Sequence, residues 1–214
     1  MRSITQSRST PLRSNQILDI YKEAMDIDSR FYSWSQSIPD SWVPIRVFRD
    51  DDMSPSLQFY QDYCDIYSTL FLTSIWNKLR ISQIEVNLTM LSCLSELPPT
   101  TSNSENQDVC RQIIQQLADD ICASVPFYLG DRMKPGRTGD GCVQYPRAPG
   151  RLPVKDHYHT GPTMGGWSLL LPLGKLLKMK IPLREGQRGW IAGQMARTTR
   201  IYNIPKFPSV SPKG

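Results

Sequence analysis

The sequence predicts an all-α fold, a helical array of about five main helices with one long Gly/Pro-rich loop, and three observations carry that prediction. Apolar residues recur in steps of three and four along three long stretches and two shorter ones. Proline-rich breaks separate those stretches. No segment alternates apolar and polar residues with the clear period of two that a half-buried strand shows. At 214 residues, 39% hydrophobic and 21% charged, the chain can bury the core of one domain, and collagen-like or disordered readings do not fit. The greasiest stretch, 165–181, is broken by Pro172, Lys175, Lys178 and Lys180, so no membrane span is expected.

The elements follow in order. Ile17, Ile20, Ala24, Ile27, Phe31 and Trp34 form one apolar seam along a first helix that Pro39 ends, while Asp19, Lys22, Glu23, Asp26 and Arg30 take the other face. A second, central helix is expected over 60–94, with Trp76 widening its apolar face. The connector 97–103 contains Pro98 and Pro99, and Ser104 followed by Gln107 has the form of a capping box for a third helix. Cys110, Ile113, Ile114, Leu117, Ile121 and Val125 are the seam of that helix, and Pro126 bends or ends it. Five Gly and five Pro between positions 131 and 162 predict a long loop. Helical character returns over 165–180 and 184–203, where Trp190, Ile191, Met195, Thr198 and Tyr202 share a side.

Charge is unevenly divided. Residues 1–130 hold 10 basic and 16 acidic side chains, net −6, and residues 131–214 hold 15 and 4, net +11. The basic residues stand singly among Pro, Gly and Leu, a pattern that fits a solvated surface better than a dense nucleic-acid patch. Residues 1–10 lack the apolar core of a secretory signal, and Ile4 and Leu12 alone make a poor apolar face for a mitochondrial presequence.

Motifs for chemistry are sparse. Cys64, Cys93, Cys110, Cys122 and Cys142 show neither a C-x-x-C pair nor a zinc-finger spacing, and Cys110 and Cys122 fall in an apolar stripe, as buried thiols do. His157 and His159 could face one metal from an extended segment with Asp156 or Cys142, but no spacing fixes a third ligand, so exposed loop histidines are expected and no metal or cofactor. Gly166-Trp167-Ser168 begins like a nucleophile elbow, but Leu170 stands where the final glycine belongs. Gly136, Gly139 and Gly141 match no phosphate-binding loop, and Asp50-Asp51-Asp52 lack the alternation of a calcium loop. Asn87-Leu88-Thr89 matches a glycosylation acceptor in mid-helix, an accidental match.

A family resemblance emerges from several stretches taken in order. These are Ile38-Pro39-Asp40-Ser41-Trp42-Val43-Pro44, then Asp65-Ile66-Tyr67 running into Ser74-Ile75-Trp76-Asn77-Lys78-Leu79-Arg80, and then Asp119-Asp120-Ile121-Cys122-Ala123-Ser124-Val125-Pro126-Phe127-Tyr128-Leu129-Gly130. Gly165-Gly166 ahead of Leu169-Leu170-Leu171-Pro172-Leu173, and Gln187-Arg188-Gly189-Trp190-Ile191, complete the set. Together they resemble the C-terminal regulatory domain of fungal six-cysteine zinc-cluster transcription factors. The residues that carry the resemblance are Trp42, Trp76, Asn77, Arg80, Cys122, Ala123, Ser124, Pro126, Gly165, Gly166 and Trp190. Each has a structural reading of its own. The tryptophans are packing anchors, Asn77 and Arg80 one turn apart can bond helix ends or carboxylates, small Ala123 and Ser124 permit close helix approach, and Pro126 redirects the chain.

The resemblance implies a domain over 17–204, with 131–162 as a loop insertion and tails at 1–16 and 205–214. It also implies an N-terminal zinc cluster that reads DNA, and nothing of that kind precedes Ile17. The expected function is therefore regulation of transcription, in the nucleus, through contact with a zinc-cluster transcription factor or a second copy. Neither catalysis nor sequence-specific DNA binding is expected. The alternative is an accessory protein, in secondary metabolism for example, that binds a small apolar ligand.

Overall fold

The computed structural model describes residues 13–48, 59–130, 142–144, 151–153, 161–162 and 165–202. Among these residues the fold is mostly helical, with five main helices, as the periodicity predicts. The first, α1, spans Ser14–Ser37. At its start the Gln16 side-chain carbonyl accepts the Arg13 backbone N–H at 2.9 Å, and at its end Ile38 turns extended ahead of Pro39.

A 3-10 turn at Asp40–Trp42 leads into β1, Ile45–Phe48, which pairs antiparallel with β2, Tyr63–Ile66. These strands correct two expectations, that no strand forms and that the second helix begins near residue 60. Three of the four β2 positions are buried, and one of them is Asp65, so no apolar/polar alternation marks the strand. The Thr69 side chain instead caps the helix start by accepting the Leu72 N–H at 2.9 Å, and α2 spans Leu70–Glu96.

The third helix, α3, spans Thr101–Tyr128. Its cap is Thr100, which accepts the Asn103 N–H at 3.1 Å, rather than Ser104; the Asn103 side chain ties the turn down by donating to the Pro98 carbonyl at 2.8 Å. Pro126 neither ends nor interrupts the helix. It sits in the last turn, where its missing N–H removes one bond, and Leu129 N–H still reaches the Val125 carbonyl. The helix stops at Gly130, whose φ of 69° is open to glycine and costly for other residues.

Within the expected loop, β3 (Cys142–Gln144) and β4 (Arg151–Pro153) form a second antiparallel pair, so that stretch is not wholly irregular. Two shorter helices follow, α4 at Gly166–Lys178 and α5 at Gln187–Ile201. Gly186, at φ 75°, sets the entry to α5 three residues later than the pattern suggests. Among the described residues no helix is long and apolar enough to cross a membrane.

The main core lies where α2 and α3 pack together and α4 and α5 close over them. Ile84, Ile114, Ile121, Val125, Leu169, Leu173, Leu176 and Ile191 are all completely inaccessible. A smaller cluster of Ala24, Met90, Leu94 and Cys110 attaches α1 to the far ends of α2 and α3. Ile17 and Ala24 are buried on the α1 seam, but Ile20 is exposed and Ile27 and Phe31 are only half-buried. The seam of that helix is thus buried most deeply at Ile17 and Ala24 and only partly covered from Ile27 to Trp34, although Asp28 and Trp34 still reach α2.

Candidate functional site

Several residues that carry the resemblance converge on one buried polar circuit. It begins on α3, where the Ser124 hydroxyl donates to the Ile121 carbonyl at 2.7 Å and accepts from the Asn77 side-chain amide at 2.8 Å. The Asn77 carbonyl oxygen, on α2, accepts from Arg80 Nη1 at 3.0 Å. The same nitrogen donates to the Tyr67 hydroxyl at 2.7 Å, and Arg80 Nη2 reaches Asp65 Oδ2 on β2 at 3.3 Å. Directly across the strand pair, Arg46 closes on the Asp65 carboxylate with two nitrogens, at 2.9 and 3.1 Å, and also donates to Asp120 at 2.7 Å. The path therefore leaves α3 at Ser124 and returns to it one turn earlier at Asp120.

The electrostatics follow from burial. Asp65, Asn77 and Arg80 expose 2%, 2% and 4% of their surface, so an unpaired charge or amide here would be costly. Burial works against the Arg80 charge, but Tyr67, Asp120 and Asp65 outweigh it and hold its pKa above the ordinary value. Hydrogen bonding to Asp65, against a desolvation penalty, likewise raises Arg46. Burial pushes the Tyr67 and Tyr128 hydroxyls up, and each keeps a polar partner, Arg80 for Tyr67 and Ser74 at 3.0 Å for Tyr128.

A second hub lies on the other side of α3. The Asp119 carboxylate, 2% exposed, accepts from Gln115 at 2.7 Å, from the Gln187 amide at 2.9 Å and from Arg184 Nε at 3.1 Å, tying α3 to α5. The Gln187 amide also lies 3.6 Å from Cys122 Sγ. Burial pushes the Cys122 thiol up to about 12, with the Gln187 hydrogen bond opposing, so it is a neutral packed group and a poor nucleophile near neutral pH.

The remaining resemblance residues sit around these hubs. The Trp76 indole N–H donates to the Trp42 carbonyl at 2.8 Å, its ring meets Trp34 edge-on at 5.7 Å, and the Arg80 guanidinium lies 5.7 Å from it. Ala123 and Pro126 are buried in the same face of α3, whereas the Trp42 side chain is exposed. Gly165 and Gly166 lie apart from the circuit, against the end of α3: a Cβ on Gly165 would stand 2.7 Å from the Tyr128 carbonyl. Trp190 is separate again, its ring 5.5 Å from Tyr60.

Of the hub members, Asn77, Arg80, Cys122 and Ser124 are among the residues singled out for the resemblance, Asp65, Asp119, Asp120 and Gln187 fall within its stretches without being singled out, and Arg46 lies outside them. A charged or amide-bearing side chain within a short or apolar stretch is the signal that could have found the others. Cys64, Cys93, Cys110 and Cys122 are buried thiols. Asn87 is fully buried and donates to Asp28 at 3.0 Å, which removes the glycosylation match from reach in the folded chain. His157, His159, Asp156 and Asp50–Asp52 lie outside the described residues, as does the Cys142 side chain.

Every group in both hubs is held by hydrogen bonds to other protein groups. The arrangement fixes the relative placement of β1, β2, α2, α3 and α5, and it presents no activated nucleophile. In sequence the chain is 23% identical over 123 residues to Transcription factor dbaG of Emericella nidulans, a stretch that is 56% of this chain and 28% of that protein. The chain is thus similar to a fungal transcription factor over more than half its length and spans less than a third of that relative. No protein-family model and no solved structure matches it.

Proposed function

We propose that this chain is a regulatory domain of the kind found C-terminal to the DNA reader in fungal zinc-cluster transcription factors, and that it acts in transcription through protein contact rather than catalysis. The observation that carries this reading is the similarity to a fungal transcription factor across 123 residues. The buried circuit supports it, because the resemblance residues Asn77, Arg80 and Ser124 act as a rigid brace between helices, the task of an interaction scaffold. The domain spans 17–204 with 131–162 inserted, works in the nucleus, and contacts a zinc-cluster transcription factor or a second copy. Sequence-specific duplex recognition falls to that partner.

The test is purification of the tagged chain from native extract, together with transcript profiling of a deletion strain. Recovery with a zinc-cluster regulator, or as a dimer, and altered transcripts are the expected results. A monodisperse monomer with no transcription-related partner and unchanged transcripts would overturn the reading.

A further inference from the structure

The partly covered end of the α1 seam leaves a groove against α2. Its volume is about 570 Å³, within the range of small-ligand clefts, and its walls are Ile27, Phe31 and Trp34 from α1 with Ile75 and Leu79 from α2. Trp34 is not a loose flap: its ring rests edge-on against Trp76, which is itself pinned by the indole bond to the Trp42 carbonyl. The groove is thus preformed, which lowers the ordering cost of filling it.

Charge distinguishes this groove from a simple packing gap. Among the described residues, Arg30 on one wall and Lys78 on the other are its only charged lining groups, no carboxylate lines it, and neither cation makes an ion pair. Elsewhere among the described residues Arg46, Arg80, Arg111, Lys175 and Arg184 take carboxylate partners while Lys22, Lys178, Lys180 and Arg200 do not, so what sets Arg30 and Lys78 apart is the apolar groove between them. An apolar trough bordered by these two cations complements a molecule that is apolar along its body and anionic at one end. The groove covers residues 27–34 and 75–82, each stretch about two helical turns and about 10 Å long, which suits a small molecule better than a docked helix needing anchors along a longer face.

We propose that the α1/α2 groove binds an amphiphilic organic anion, its apolar body against Phe31, Trp34, Ile75 and Leu79 and its acid group held by Arg30 and Lys78. This site stands independently of the transcriptional role and can fail or hold without it.

The experiment uses the full chain with 8-anilinonaphthalene-1-sulfonate as fluorescent probe and dodecanoate as competitor, dodecanol serving as the uncharged control. Saturable binding of one probe per chain, displaced by dodecanoate, is expected. The Arg30→Gln/Lys78→Gln double variant, altered only at exposed positions, should weaken dodecanoate about tenfold or more and leave dodecanol unchanged. A Lys178→Gln/Lys180→Gln control removes the same charge elsewhere and should bind as the native chain does. Absence of saturable binding, or equal loss in both double variants, would overturn the site. Dimerisation reversed by dodecanoate would assign the groove to a second copy. Capture of an acidic amphipathic peptide through Arg30 and Lys78, without dodecanoate binding, would assign it to a partner helix; either result overturns the proposal.

Discussion

Asn77 on α2 and Ser124 on α3 are joined side chain to side chain by a 2.8 Å hydrogen bond at a point where neither residue exposes more than 2% of its surface. The bond fixes the rotation of one long helix against the other. It does so because Asn77 is fully committed: the amide goes to Ser124 and the carbonyl to Arg80.

Arg80→Met should therefore cost more than the loss of one ion pair. It strands Asn77 Oδ1, the Tyr67 hydroxyl and part of the Asp65 charge, and such losses come to about 3–5 kcal/mol. Arg46→Met leaves the buried Asp65 carboxylate with Arg80 alone, but water can enter the place of a side chain that is 35% exposed, so it should cost less, about 1–3 kcal/mol. Urea unfolding of the two variants checks the order. Equal costs would mean that Asp65 is held from the solvent side.

The circuit was only half legible in the sequence. Asn77 and Arg80 stand one turn apart on a helix whose apolar period is plain, so their common face could be read directly. Their partners come from β1, β2 and α3, and one chain without its fold carries no mark of which distant carboxylate meets which guanidinium. The strand pair was invisible for a related reason, since burying Asp65 beside Cys64 and Ile66 erases the alternation on which strand detection depends. The α3 cap shows a local ambiguity of another kind: Thr100 and Ser104 both had suitable hydroxyls, and Pro98, by accepting the Asn103 amide, set the turn at the earlier one.

Alkaline pH should weaken the fold, and Cys122 gives the sign. Burial raises its pKa from 9.0 to about 12 in the folded chain, so the neutral thiol is the form the fold accommodates. Stability is fully present below pH 9, where folded and unfolded chains both keep the proton. It falls as pH rises from 9 toward 12, because the unfolded chain then releases a proton that the folded chain retains, a loss of about 4 kcal/mol in full. Cys122→Ala should move the onset upward, toward the range where the buried hydroxyls of Tyr67 and Tyr128 take over. Thermal melts at stepped pH read this directly, and an unchanged onset would assign the alkaline loss to the other groups that burial raises, the Cys93 and Cys110 thiols or the tyrosines.

Trp76 separates packing from hydrogen bonding. Its ring is half-buried against Trp34 and the main core, so Trp76→Ala should cost about 2–3 kcal/mol, less than a fully buried tryptophan. Trp76→Phe keeps much of the apolar contact but removes the indole bond to the Trp42 carbonyl, for about 1 kcal/mol. Denaturant titration of both variants checks the ratio, and equal losses would place the whole contribution in the hydrogen bond.

The adjacent glycines at the head of α4 should respond differently to the same change. A Cβ on Gly165 would meet the Tyr128 carbonyl at 2.7 Å, the Gly161 carbonyl at 3.0 Å and Leu70 Cδ2 at 3.0 Å, and two of those atoms are backbone. A backbone carbonyl at the end of α3 cannot move aside without loosening the last turn, where Pro126 has already removed one bond. Gly165→Ala should therefore cost about 1–3 kcal/mol through overpacking. A Cβ on Gly166 would meet only side-chain atoms, Leu129 Cδ2 and the Tyr202 ring, at 3.3 Å, and these can yield by a few tenths of an ångström. Alanine also favours the helix that begins at that position, so Gly166→Ala should lie within about 0.5 kcal/mol of the native chain. Parallel urea titrations decide the matter. If Gly165→Ala proves as stable as Gly166→Ala, the close approach of α4 to the end of α3 is looser than 2.7 Å implies, and the glycine pair matters for something other than space.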